Sequence, residues 1–379
     1  MRYSSRSDVD PFIVMDVMEA ARAAEAEGRS IIHMEVGQPG TPAPEAARQA
    51  LANAMDEGSL GYTVALGLPE LRARIAKLYD DWYGVDVDPN RVVVTAGASG
   101  AFVLAFSALF DAGDKIAMGE PGYPSYRQIL RAMSLEPVGI QTTAAARFQP
   151  VTGEIPHDIQ GLIVASPANP SGTMLDLAAM SALVAAAEDR GAAFISDEIY
   201  HGIEYERKAV TALQASHDVY VVNSFSKYHS MTGWRVGWMV VPEDHVRRIE
   251  RLAQNMFICP SHASQIAALA ALDAGEELDG NVELYRQNRA IMLEELPKIG
   301  FDKIAPPDGA FYVYADVSDL TDDSLAFCQE ILENAGVAVT PGLDFDPKRG
   351  AQTVRFSYAR STADIEEGLK RLGAFMRAR

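Results

Sequence analysis

Val219-Tyr220-Val221-Val222-Asn223-Ser224-Phe225-Ser226-Lys227 passes from an apolar run into a polar turn, and Arg235 follows eight residues after the lysine. Gly237-Trp238-Met239-Val240-Val241 then resumes the apolar texture. Short runs rich in β-branched residues, without polar alternation, predict strands buried on both faces. The lysine and the arginine thus stand in the connection between two buried strands. In open α/β sheets, ligands collect outside the carboxyl ends of such strands.

Working back from that stretch, residues 92–95, 115–118, 161–165 and 192–196 read as further buried strands. Helical spacing over 101–110 and 177–190 lies between them. Alternation of this kind predicts a mainly parallel sheet with helices on both faces. Leu68, Leu71, Ile75, Leu78 and Trp82 define an amphipathic helix that Pro69 opens, and 13–27 and 44–55 read as helices too. After Val241 the texture changes: helices are expected over 244–254, 264–272 and 282–296. Strands at 310–314, 337–340 and 354–358 then alternate with helices at 325–334 and 363–377. The expected fold is α/β: a large unit over 46–280, a smaller α+β unit over 281–379, and an arm over 1–45 that joins the small unit.

The chain has 379 residues and a formal net charge of −19, which argues against nucleic acid as a partner, since phosphate backbones demand a basic face. A small anion is not excluded, because salt confines exposed charges to about 8 Å. Cys259 and Cys328 have no metal or redox spacing, so no metal is expected and a reduced, cytoplasmic setting is. No signal peptide is read at the start, where Asp16 interrupts the apolar stretch. Residues 92–110 carry no charge, yet Thr95, Gly97, Ser99 and Gly100 at their centre indicate strand-turn-helix rather than a membrane span.

Several residues at predicted strand ends bear chemistry. Gly97-Ala98-Ser99-Gly100 is either a tight turn or a helix start whose N–H groups hold a phosphate, with Ser99 adding a hydroxyl. Asn169, in Pro167-Ala168-Asn169-Pro170-Ser171-Gly172, reads as a turn residue or as a donor to a ligand. Asp197 either caps a helix or, buried, keeps a pyridine nitrogen protonated; Tyr200 follows three residues on, and Glu198 supports the fold. Lys227 is an imine-forming candidate, and Arg235 suits a phosphate because its planar fork donates two parallel hydrogen bonds, with Ser224 completing the clamp. Tyr123 is either a core aromatic or a ring that stacks on a cofactor. Imine-forming amine, pyridinium partner and phosphate clamp together are what pyridoxal 5'-phosphate requires.

With these residues in view, the chain resembles the class I/II aminotransferases, enzymes of the fold-type I pyridoxal-phosphate group. The resemblance runs from Val36-Gly37-Gln38-Pro39 through Gly61-Tyr62-Thr63 and Gly67-Leu68-Pro69-Glu70-Leu71-Arg72 to Val354-Arg355-Phe356-Ser357. Its most specific part is Met231-Thr232-Gly233-Trp234-Arg235 after Lys227. It implies a seven-stranded main sheet and a ping-pong transfer of an amino group from an L-amino acid to a 2-oxo acid. By the same resemblance, Lys227 carries the imine link and moves the Cα proton, Asp197 meets the ring nitrogen, and Asn169 and Tyr200 meet the phenolic oxygen. Ala98, Ser99, Ser224 and Arg235 would hold the phosphate, and Tyr123 would stack. Arg355 would fork onto the substrate carboxylate, beside the Gly37 backbone. A homodimer with shared sites is implied, with Tyr62 reaching the partner's phosphate. Some members that take acidic substrates place a lysine where this chain has Ser99, so no particular amino acid is assigned.

Three other readings share pieces of this pattern. A carbon–sulfur β-lyase would use Lys227, Asp197 and Arg235 on the same fold. A cofactor-binding regulator would need a basic DNA-binding module, for which the first thirty residues are too short and too acidic. Ser224-Phe225-Ser226-Lys227 also fits the acylating-serine spacing of penicillin-recognising enzymes, but their Ser-Asp-Asn and Lys-Thr-Gly partners are missing.

Overall fold

Strands that bury both faces need a helical layer on each side, and the chain supplies two. The structure, a computed structural model, describes residues 1–58 and 60–379. It opens with α1 (Ile13–Ala26), β1 (Ile32–His33), α2 (Glu45–Glu57) and α3 (Pro69–Tyr83). Next come β2 (Val92–Thr95), α4 (Gly97–Leu109), β3 (Lys115–Glu120), α5 (Pro124–Ala132) and β4 (Glu136–Gln141). They are followed by β5 (Gly161–Ala165), α6 (Leu177–Glu188), β6 (Ala193–Asp197), β7 (Tyr220–Ser224) and β8 (Gly237–Val240). The remainder holds α7 (Val246–Met256), α8 (His262–Ala271), α9 (Gly275–Lys298), β9 (Lys303–Ile304) and β10 (Tyr312–Asp316). Last are α10 (Ser324–Ala335), β11 (Val337–Ala338), β12 (Thr340–Pro341), β13 (Thr353–Ser357) and α11 (Thr362–Ala378).

Seven strands form the main sheet in the order β2-β8-β7-β6-β5-β3-β4. Only β8 runs against its neighbours β2 and β7; the other pairs are parallel. Successive side chains point to opposite faces, so each strand feeds two cores. Val92, Val94, Leu162, Val164 and Val221 join Leu71, Ile75 and Leu183 of α3 and α6. Val93, Ile163, Ile195 and Val222 join Phe102, Phe106, Leu130 and Ile249 of α4, α5 and α7.

The seventh strand, β4, lies outside the strand runs read from the sequence. It contains Pro137 and Gly139, both disfavoured in strands, and it survives because it is an edge strand, where a missing N–H need not break a ladder. Gly139 is needed there: a Cβ would run into the Glu120 carboxyl group.

A second, antiparallel sheet takes the order β12-β13-β10-β9, and β1 pairs in parallel with β11. Phe301, Phe311, Val313, Phe327, Phe356 and Leu372 form its core together with Leu278, Val282 and Met292 of α9. The expected strand over 337–340 is divided into β11 and β12, which join different sheets, and α9 begins at Gly275, well ahead of the expected 282. Ala21 and Ala24 of α1 pack with Leu332 and Ala338.

Leu162 is fully buried in a central strand, whereas Val151 is 43% exposed in a connection. Leu162→Ala is expected to cost about 2–5 kcal/mol and Val151→Ala less than about 0.5 kcal/mol. Urea denaturation midpoints of the two variants measure the difference; equal midpoints would contradict the burial assigned to β5.

Candidate active site

β2, β3, β5, β6 and β7 all point the same way, since β2 and β7 are each antiparallel to β8. Their carboxyl ends therefore lie along one sheet edge, and β8 starts from that same edge. The residues at or just past those ends are Ala98 and Ser99, Tyr123, Asn169, Asp197 with Tyr200, and Lys227; Arg235 lies two residues before β8. All of them line one cavity of about 240 Å³, which also takes in Gly37 and Arg355. Ten of the twelve residues expected at a ligand site are thus brought together from eight separate segments. The two outside the wall are Ser224 and Tyr62.

Lys227 points its amine at the Gly37 carbonyl, to which it donates. Burial first, and then the nearby cations of Arg355 and Arg235, lower its pKa to about 7 against the opposing charge of Asp197. Asp197 ends β6 and is buried; burial raises its carboxyl to about 6 even though the Tyr126 hydroxyl and the Ile199 N–H donate to it. Burial thus moves both groups toward neutral pH from opposite sides. Glu198 faces away, accepting from Ser196, Thr211 and the Ala212 N–H inside the fold.

Arg355 comes from β13 of the second sheet. It is buried, and its guanidinium lies over the rings of Tyr312 and Phe345, 4.2 and 4.7 Å from their centroids. It donates to Asn169 Oδ1 at 2.9 Å and to the Glu35 carbonyl, while its Nε has no partner among the described residues. A guanidinium only donates, so Asn169 must turn its oxygen toward Arg355, which leaves the amide NH₂ for the cavity. Tyr200 pairs its hydroxyl with that of Tyr312 at 2.7 Å.

At the other end α4 opens at Gly97, so the first N–H groups of this helix face the cavity through Ala98 and Ser99. Gly97 has φ +70°, and a Cβ there would sit 2.5 Å from Arg235 Nη2. Glycine is required both for that backbone and for the close approach of the guanidinium. Ser224 Oγ is turned inward onto the Val236 carbonyl at 3.0 Å, and Ser226, 2.8 Å from it, lines the cavity in its place. Tyr62 is 84% exposed.

Phe12, Val14 and Met15 form an apolar wall that the sequence did not reveal. They stand at the start of α1, whose first N–H groups, of Ile13 and Val14, both donate to the Asp344 carboxylate at 3.1 Å. Tyr126, Tyr312, Ser226 and Thr232 were likewise missed. Of these, only Ser226 and Thr232 had a local signal, lying inside the run from Ser224 to Arg235.

Three comparisons bear on this site. The profile of the family described as aminotransferase class I and II matches residues 29–372. The valine–pyruvate aminotransferase of Mycobacterium tuberculosis is 48% identical over 99% of this chain and 98% of its own. A crystal structure from Silicibacter pomeroyi superposes with a TM-score of 0.96 at 68% identity, covering all of both chains. An aminotransferase structure from Mycobacterium tuberculosis gives 0.98 at 47% identity over the same full coverage. The expectation carried by Lys227, Asp197, Asn169, Arg235 and Arg355 is met at the level of family and activity: this chain belongs to the class I and II aminotransferases and is an enzyme that transfers amino groups.

Proposed function

We propose that this aminotransferase works with pyridoxal 5'-phosphate and moves the amino group of a neutral aliphatic L-amino acid to pyruvate or a similar 2-oxo acid. The observation that carries the cofactor reading is Lys227, with its lowered pKa, facing Asp197 across a cavity whose far end offers Arg235 and a glycine-opened helix start. The donor set fits the group: Ala98, Ser99, Ser226 and Arg235 for the phosphate, Tyr123 against the ring, Asp197 for the ring nitrogen, and Asn169 with Tyr200 for the phenolic oxygen. Ser224 supports Ser226 from behind. When bound, the cofactor supplies an electron-withdrawing ring that makes the substrate Cα–H acidic.

The chain's own residues do the rest. Arg355 orients the substrate by its carboxylate, using a guanidinium already held against two rings. Gly37 brings its backbone to the same place. Lys227, once free, is neutral above about pH 7 and takes the substrate Cα proton, then returns it elsewhere. Burial among Tyr126, Tyr200 and Tyr312 keeps water from competing for these protons.

Two observations favour a neutral substrate. The charged side chains in the wall are Lys227, Asp197, Arg235 and Arg355, and each has a role above, so no cation remains for a distal carboxylate. The wall opposite is Phe12, Val14, Met15 and Val36. The name of the valine–pyruvate relative agrees with this.

We further propose a homodimer. Tyr62, Val64, Met256, Phe257 and Ile258 are exposed, and their segments meet where the Thr63 N–H donates to Cys259 Sγ at 3.4 Å. A contiguous apolar patch on a two-fold assembly is the expected seat of a second copy, and Tyr62 would reach the partner's site from there. The separate core of the second sheet, which takes in Ile32 and Met34 of the arm, supports a smaller C-terminal unit that the arm joins; Leu278 of α9 packs in that core, which favours a boundary near Gly275 over one at 280/281. No helix among the described residues is long and apolar enough to cross a membrane, and both cysteines are free, which supports a cytoplasmic enzyme.

Valine with pyruvate should yield alanine and the matching 2-oxo acid, with aspartate at least about tenfold poorer by kcat/KM. Ammonia released without an acceptor, or aspartate preferred, would overturn this reading; NMR of the reaction mixture distinguishes them. Attachment of added pyridoxal phosphate, followed by its visible absorption, should quicken as pH rises through about 7, because only the neutral Lys227 amine reacts. Arg355→Leu removes one of the cations that depress this pKa, so its profile should move to higher pH. Ile258→Asp should convert the dimer to monomers in sedimentation velocity; an unchanged mass would place the partner surface elsewhere.

A further inference from the structure

The most informative residue without a role so far is Tyr312, which touches both ends of the substrate-facing half of the cavity. We propose that Tyr312 is a positioning residue that sets the plane of the Arg355 guanidinium with its ring and the direction of the Tyr200 proton with its hydroxyl. The inference rests on the pyridoxal-phosphate reading above.

The ring part follows from register. β10 and β13 pair Tyr314 with Arg355 and Tyr312 with Ser357, so Tyr312 and Arg355 are diagonal neighbours. The guanidinium lies over the Tyr312 ring, 4.2 Å from its centroid, and over the Phe345 ring, 4.7 Å from its centroid. A planar cation held against aromatic rings keeps one orientation, and its Nε, buried and without a partner among the described residues, is the donor left over for a carboxylate.

The hydroxyl part follows from counting protons. Burial raises the pKa of both Tyr200 and Tyr312, so both hold their protons at neutral pH. They form one hydrogen bond with each other, 2.7 Å long, and that bond uses one of the two protons. Tyr312 Oη is wedged against Gly37, where a Cβ would collide with it. Neither hydroxyl has another hydrogen-bond partner among the described residues. Donation from Tyr312 to Tyr200 is therefore the arrangement that leaves a proton on Tyr200 for the phenolic oxygen of the cofactor. It also makes Tyr200 a stronger donor, since hydrogen bonds in a chain polarise one another. The same contact requires a glycine at position 37: any side chain there would displace the hydroxyl.

Two variants separate the two parts. Tyr312→Phe keeps the ring and loses the hydroxyl. KM for the amino donor should stay within about twofold, while the visible band of the cofactor-loaded protein should titrate about half a pH unit higher, because the anionic oxygen loses part of its donor. Tyr312→Leu loses both, and should add a several-fold rise in KM to the same spectral shift. An unmoved titration in Tyr312→Phe would overturn the hydroxyl role, and an unmoved KM in Tyr312→Leu would overturn the ring role. If the unaltered protein forms no visible band with pyridoxal phosphate, the cofactor reading itself fails and the hydroxyl role falls with it.

Discussion

A guanidinium cannot shed its charge at any ordinary pH, so burying one obliges the surrounding chain to satisfy it. Arg355 makes that demand where the second sheet meets the first. Its nitrogens reach Asn169, from the loop after β5, and the carbonyl of Glu35, from the segment after β1. It also packs over the rings of Tyr312 and Phe345. One charged group thus fixes four segments that are distant in sequence. The cavity exists because those segments cannot separate without stranding a cation in a dry interior.

The same cation acts on Lys227. A surface lysine holds its proton far above neutral pH and is useless as a base there. Enclosed near Arg355 and Arg235, Lys227 falls to about 7. The acidic surface of the protein, at net −19, does not undo this, since exposed charge is screened over about 8 Å while the cavity is not. The fold therefore keeps a cation-lined cavity inside an anionic protein by burial rather than by overall charge.

How much of this was legible in the sequence depended on whether the signal was local. Lys227, Asp197, Asn169 and Ala98 each stand at the end of a short apolar run or within four residues of it, so reading the strand places the residue. β4 was lost because Pro137 and Gly139 disguise an edge strand, whose permissiveness comes from its position in the sheet and not from its own residues. Tyr312 and Tyr126 look like ordinary core aromatics until pairing across the fold brings them to Arg355 and Asp197. The choice between Ser224 and Ser226 was beyond reach for a different reason. Which of the two serines faces the cavity depends on the turn after β7, where Ser224 Oγ turns onto the Val236 carbonyl and Ser226 lies 2.8 Å from it. Arg355 itself became visible only through the family resemblance, because an arginine in a strand carries no mark of burial.

The wall made by Phe12, Val14 and Met15 has a different standing from the rest of the cavity. It is the opening turn of a terminal helix, fastened by one carboxylate, Asp344, to the body of the protein. Phe12 and Met15 lie outside the buried cores of both sheets. Substitutions there can reshape the face offered to a substrate side chain with little burden on folding. Substitutions in the first turn of α1 would thus alter the apolar part of the cavity wall while leaving Lys227, Asp197 and Arg355 on their strands and loops.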